Sequence, residues 1–238
     1  MAKHFLRLIF FISASLLLAQ EVSQERLVRF ALWAQQDAYP GYFDGDATDE
    51  EQAKNKSDVD DSINSVPIRK IKELAPYIVQ GMVYGWKFDY TPSDKARKVP
   101  EFFDVTEVTP IPSQDLARIS FAKPWYQEEK LWAWVEYART PEQIYIFKSW
   151  HAILYPRIKG VGYARLSEGF DGIRKACEEA LKNAVREYER TRIKTKPKQI
   201  EGTALIIKPP QIGIDAGRYK VTLDFFMQSD RIIEYKTF

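Results

Sequence analysis

Cysteine and histidine are almost missing from this chain of 238 residues, which holds one cysteine, Cys177, and two histidines, His4 and His151. That stock excludes a Cys/His metal cluster, a thiol pair and a relay of several histidines. It leaves carboxylate chemistry, a lone His/Ser/Asp grouping, or no catalysis. A single cysteine also rules out an internal disulfide, so stability must come from packing. An excess of one charge is lacking too: 35 Lys and Arg face 33 Asp and Glu. Bases alternate with acids, as in Arg186, Glu187, Glu189 and Arg190, and form no basic face for nucleic acid.

Long apolar runs are confined to the amino terminus. Lys3 and Arg7 form a positive region, residues 8–18 an apolar stretch of about eleven residues, and Ala19 supplies a small residue for cleavage, the pattern of a secretory signal over residues 1–19. Lys3 and Arg7 would leave with the signal and bring the mature chain near neutrality. No later stretch approaches the roughly 20 apolar residues of a membrane helix. The expected location is therefore periplasmic, with no membrane span in the mature form and no lipid-bearing cysteine after the signal.

Aromatic residues, by contrast, make up 14% of the chain, enough for a large core plus a sticky surface. Residues 20–65 are expected to hold a short helix, with Leu27, Phe30, Ala31 and Ala34 at helical spacing, followed by a polar linker. Residues 44–61 of that linker carry eight acids against Lys54 and Lys56 and have almost nothing to bury. Its Asp44-Gly-Asp46 start departs from a calcium loop at Asp49 and Asn55. Residues 66–155 predict a helix disturbed at Pro76, then a meander of four strands over 82–90, 103–109, 117–122 and 130–139. Thr140-Pro141-Glu142-Gln143 then reads as a capping box opening a second helix.

Residues 156–238 give the clearest pattern, a β-α-β-β unit with strands at 157–166, 199–207 and 218–227. Its long helix, 171–191, places Ile173, Ala176, Cys177, Ala180, Leu181, Ala184, Val185 and Tyr188 on one face. The fold class expected is α+β, with an aromatic-rich antiparallel meander flanked by helices and followed by this unit. The last two regions read either as two domains or as one.

Few residues are candidates for chemistry. Cys177 lies on the apolar helix face and reads as a small core hydrophobe. His151 has no nucleophile turn beside it. The residues of each pair Glu128-Glu129 and Glu178-Glu179 are sequence neighbours and are expected to point to different sides of a strand or helix. Gly160-Val-Gly162 fails the phosphate-loop pattern. No catalytic residue, metal or cofactor is assigned. The aromatic cluster Trp125, Tyr126, Trp132, Trp134 and Tyr137 is the candidate binding face for a protein or ligand. Trp132 and Trp134 stand opposite Leu131, Ala133 and Val135 on one strand, which either fills two packed layers or leaves one face sticky.

Lys159-Gly-Val-Gly-Tyr-Ala164, the alanines 176, 180 and 184, Gly202-Thr-Ala-Leu-Ile-Ile and Gly217-Arg-Tyr-Lys-Val221 resemble the amino-terminal domain of flagellar assembly protein T and related small outer-membrane lipoproteins. The whole chain also resembles exported spirochaete proteins through Ile71-Lys-Glu-Leu-Ala-Pro-Tyr77, Gly81-Met-Val-Tyr-Gly-Trp86 and Ser167-Glu-Gly-Phe-Asp-Gly172. These resemblances imply envelope or flagellar proteins as partners. The expected function is that of a non-enzymatic structural or assembly protein, with a second copy of the chain (a homo-oligomer) as a further candidate partner. The rival is a small-ligand or glycan-binding module that uses the Trp-rich strand.

Overall fold

The computed structural model describes residues 25–35, 65–151 and 154–235. The expected signal peptide and acidic segment lie outside them. Element order is β1 (Leu27–Gln35), α1 (Ser65–Val83), β2 (Trp86–Thr91), β3 (Phe102–Glu107), α2 (Ser113–Leu116), β4 (Ser120–Gln127), β5 (Lys130–Ala138), α3 (Pro141–Trp150), β6 (Arg157–Arg165), α4 (Gly169–Arg192), β7 (Gln199–Ile206), β8 (Gln211–Asp215) and β9 (Arg218–Ile233). The class is α+β, with antiparallel pairing in two sheets. One has the order β1-β5-β4; the other runs β3-β2-β7-β9-β6, with β8 also on β9.

The expected meander is therefore divided. β2 and β3 join the large sheet through β7, whereas β4 and β5 pair with β1 in the small one. The expected helix at the start is likewise a strand. Val28, Phe30, Leu32 and Ala34 alternate inward with period two and are buried, a pattern that overlaps helical spacing over so short a run. Pro76 does not end α1, which continues to Val83. Ile71, Leu74, Ala75, Ile78, Val79 and Met82 are all buried on it, and that packing outweighs one missing backbone hydrogen bond. The helix stops where Gly85 takes φ +82°, so the first expected strand begins only at Trp86.

The carboxy-terminal unit forms as expected, with β8 as an additional strand after Pro209-Pro210. α4 lies directly on β6. A Cβ at Gly160 would stand 1.9 Å from the Ala180 carbonyl oxygen, and one at Gly162 2.0 Å from that of Ala176. Glycine on the strand and alanine on the helix thus allow a close approach of α4 to β6. α1 and α4 meet the apolar faces of both sheets in one cluster, while Phe147 of α3 packs with Leu205 and Phe226 in a second. Thr140 caps α3 with its predicted box.

Candidate functional site: a tryptophan cleft

Trp33, Trp132 and Trp125 stand in one row across β1, β5 and β4, because Trp132 is the register partner of both others. Trp125 stacks on Trp132 with ring centroids 5.8 Å apart and planes inclined by 14°. Trp33 is tilted against Trp132 at 6.2 Å. Trp134 is one step along the same face, 5.6 Å from Trp125. Each such ring pair contributes about 0.5–1.5 kcal/mol beyond burial. Cations sit on the rings: the Arg29 guanidinium lies 4.3 Å from Trp134 and the Lys130 ammonium 4.7 Å from Trp33. Arg29 is oriented by Glu136 at 2.9 Å.

The β7–β9 arm of the large sheet approaches this face. The Trp33 indole N–H donates to the Ile212 carbonyl oxygen at 3.1 Å, and Trp33 also packs against Tyr219. Between arm and face lies a cleft of about 550 Å³, lined by Arg29, Ala31, Trp132 and Trp134 on one side and by Pro209–Gly213, Lys220 and Thr222 on the other.

Of the five aromatic residues singled out from the sequence, Trp132 and Trp134 line the cleft, and Trp125 buttresses them. Tyr126 is 52% exposed and pairs with Leu131 rather than with the tryptophan row. Tyr137 belongs to the other face of β5. It is 1% exposed, shares the inward parity of Leu131, Ala133 and Val135, and donates its hydroxyl to Gln143 Oε1 at 3.0 Å. It is a core residue and does not share the face of Trp132 and Trp134. Sequence reasoning missed Trp33, Arg29 and the 209–213 arm. Parity along β1 would have placed Arg29 and Trp33 together once that segment was read as a strand.

A second polar cluster ties helix ends together. Tyr84 donates to Asp115 Oδ2 at 2.6 Å, Gln143 Nε2 donates to the same oxygen at 2.9 Å, and Arg118 reaches Oδ1 at 3.1 Å. Burial pushes the Asp115 carboxyl up, but the hydrogen bonds from Tyr84, Arg118, Tyr137 and Gln143 outweigh it and hold the group below its ordinary value. Burial and the Asp115 hydrogen bond raise Tyr84 to about 12, so it stays a donor. Arg139, lowered to about 10 by burial, donates to the carbonyls of Met82 and Glu25. The network anchors α1, α2, β5 and α3.

His151 closes α3, its Nδ1 2.9 Å from the Phe147 carbonyl and its ring edge-on to Phe147 and Phe226. Cys177 is fully buried, and burial pushes its thiol up. Among the described residues no group of three His, Cys, Asp or Glu side chains is placed to hold a metal, and no helix is long and apolar enough to cross a membrane.

A family model matches residues 15–235, nearly the whole chain, and the chain belongs to that family. An uncharacterised protein of Treponema pallidum (strain Nichols) is 28% identical over 178 residues, which span 75% of this chain and 74% of that one. No solved structure matches.

Proposed function

As a member of that family, this chain is, we propose, an exported, non-enzymatic binding protein of the periplasm that serves the cell envelope or flagellar apparatus as a structural or assembly factor through protein contacts. The observation that carries the reading is the tryptophan cleft. Three indoles and two ring-bound cations meet a separate arm of the chain across an open, strand-bordered gap, the arrangement of a recognition surface rather than of a reaction centre. The export pattern of residues 1–19 supports the location. The Treponema relative accords with the resemblance to exported spirochaete proteins. Crosslinking in intact cells with tagged protein, repeated with Trp132→Ala/Trp134→Ala, tests it. Recovery of envelope or flagellar proteins by the parent and not by the folded variant is the expected result; equal recovery by both removes the cleft from the interface.

A second reading, a small-ligand or glycan-binding module, is favoured by the concavity of the site, since a ligand of a few rings fits a cleft of about 550 Å³. Saturable binding of a soluble oligosaccharide with quenching of tryptophan fluorescence would distinguish it.

A further inference from the structure

The cleft is bordered by two strands whose free edges face no third strand among the described residues. The phase of each ladder says which backbone groups are spare. Arg139 N–H donates to Arg26 carbonyl, in register with the β1/β5 pairs Leu27↔Ala138 and Val28↔Tyr137. Residues 28, 30, 32 and 34 of β1 therefore bond to β5, and Arg29, Ala31 and Trp33 turn their N–H and C=O groups outward. On the other side, β8 and β9 are joined by the two-residue turn Ala216-Gly217, both at positive φ. Its flanking pair Asp215↔Arg218 is hydrogen-bonded, as are Gly213↔Lys220 and Gln211↔Thr222. Ile212 and Ile214 then point their backbone groups away from β9, and the Ile212 carbonyl indeed faces Trp33.

Other edges are treated differently. On β6, Glu179 accepts the Tyr163 N–H and Asn183 donates to the Val161 carbonyl, each at 2.9 Å, so α4 side chains cover that edge. Among the described residues, the indole of Trp33 on the Ile212 carbonyl is the side-chain contact shown to these edges.

The space has the dimensions of a strand. With a rise of about 3.3 Å, a strand spacing of about 4.8 Å and a sheet spacing of about 10 Å, one residue takes roughly 160 Å³, so the cleft admits between about three and four residues. The charged lining residues are Arg29 and Lys220, each held at the rim by a carboxylate of the chain, Glu136 at 2.9 Å and Asp215 at 3.0 Å, for which an incoming acid would compete.

We propose that the cleft takes an extended acidic peptide, which adds as a strand between β1 and β8 with its side chains on Trp132 and Trp134 and its carboxylates toward Arg29 and Lys220. This rests on the tryptophan cleft being the recognition site. Main-chain bonds to the edge groups would supply affinity and the indoles would select alternate side chains.

The test is a random peptide library displayed on phage and selected on the purified chain, followed by titration of the enriched peptides against tryptophan fluorescence. The expected result is enrichment of sequences with Asp or Glu among β-formers. N-methylation at alternate backbone positions should lower their affinity by about tenfold or more, with little effect at the intervening ones. Ile214→Pro, which removes one outward N–H, and Arg29→Gln/Lys220→Gln should each weaken binding. If no enriched peptide loses binding to Trp132→Ala/Trp134→Ala, the recognition site itself is elsewhere. If peptides bind at the tryptophans but N-methylation has no positional effect, strand addition is wrong while the site stands. Binding of oligosaccharides at the cleft with no enriched peptide would overturn the peptide assignment.

Discussion

Glu179 Oε2, on the helix α4, accepts the main-chain N–H of Tyr163 on the edge strand β6 at 2.9 Å. A carboxylate thus occupies a backbone donor that another strand would otherwise use, and one helical turn on Asn183 does the same for the Val161 carbonyl. Replacing both by alanine should leave the fold in place and expose the edge. The expected outcome is concentration-dependent self-association in sedimentation velocity beyond that of the parent.

The glycines under α4 predict a sharp contrast. Gly162→Ala puts a Cβ 2.0 Å from the Ala176 carbonyl, a clash with helix backbone that cannot be relieved by a rotamer. It should destabilise by about 3 kcal/mol or more or prevent folding. Gly213→Ala has nothing within 4 Å of the added atom and should stay within about 0.5 kcal/mol of the parent in urea unfolding.

Asp115 predicts a pH dependence. Its folded value is held below its unfolded one, near 3.9, so its contribution is fully present above that value and is lost as pH falls through the lower folded value. Stability measured by denaturant between pH 6 and pH 2 should fall in the acid range. Asp115→Asn should be less stable at pH 6 and should flatten part of that fall. An unchanged slope would mean that the carboxylate contributes nothing.

Cys177 predicts a probe of global unfolding. The thiol is fully buried, and burial raises its pKa, so little thiolate forms and no reagent reaches it in the native state. Labelling by a disulfide reagent in water should be slow, at the rate set by opening of α4, and become fast in denaturant.

Trp33→Phe should keep the buried ring and remove the hydrogen bond to the Ile212 carbonyl. A loss of about 1 kcal/mol is expected. Faster amide hydrogen exchange over residues 211–218 than over β7 would localise the effect to the arm.

The legible parts of the fold were those where one period dominates for long enough. The helix carrying Cys177 repeats its apolar face through about four turns, and the Thr140/Gln143 box names its own boundary. β1 was illegible because Phe30 and Ala34 belong to both a helical and an alternating pattern, and the choice is made by pairing with Lys130–Ala138, about a hundred residues away in the chain. The division of the four strands between two sheets has no local signal at all, since each strand reads the same whichever neighbour it finds. The candidate binding face was half legible. Parity separated Trp132 and Trp134 from Leu131, and the same parity applied to Tyr137 would have moved it to the core. The arm opposite them is brought in only by tertiary structure. Gln143 shows a further layer: the sequence announced its capping role, but not that its side chain also serves Tyr84, Tyr137 and Asp115.

The position of β1 in the chain has a kinetic consequence. It is the first described strand to be synthesised, yet its ladder partner is β5 and its indole partner is Ile212, 179 residues later. The small sheet therefore closes only after most of the polypeptide exists, while the unit of β6, α4, β7 and β9 can form from nearby segments. Folding of this protein should begin at its carboxy-terminal end. Until β5 is in place, the apolar strand bearing Phe30 and Trp33 remains an unprotected ribbon, open to any holding factor or to aggregation.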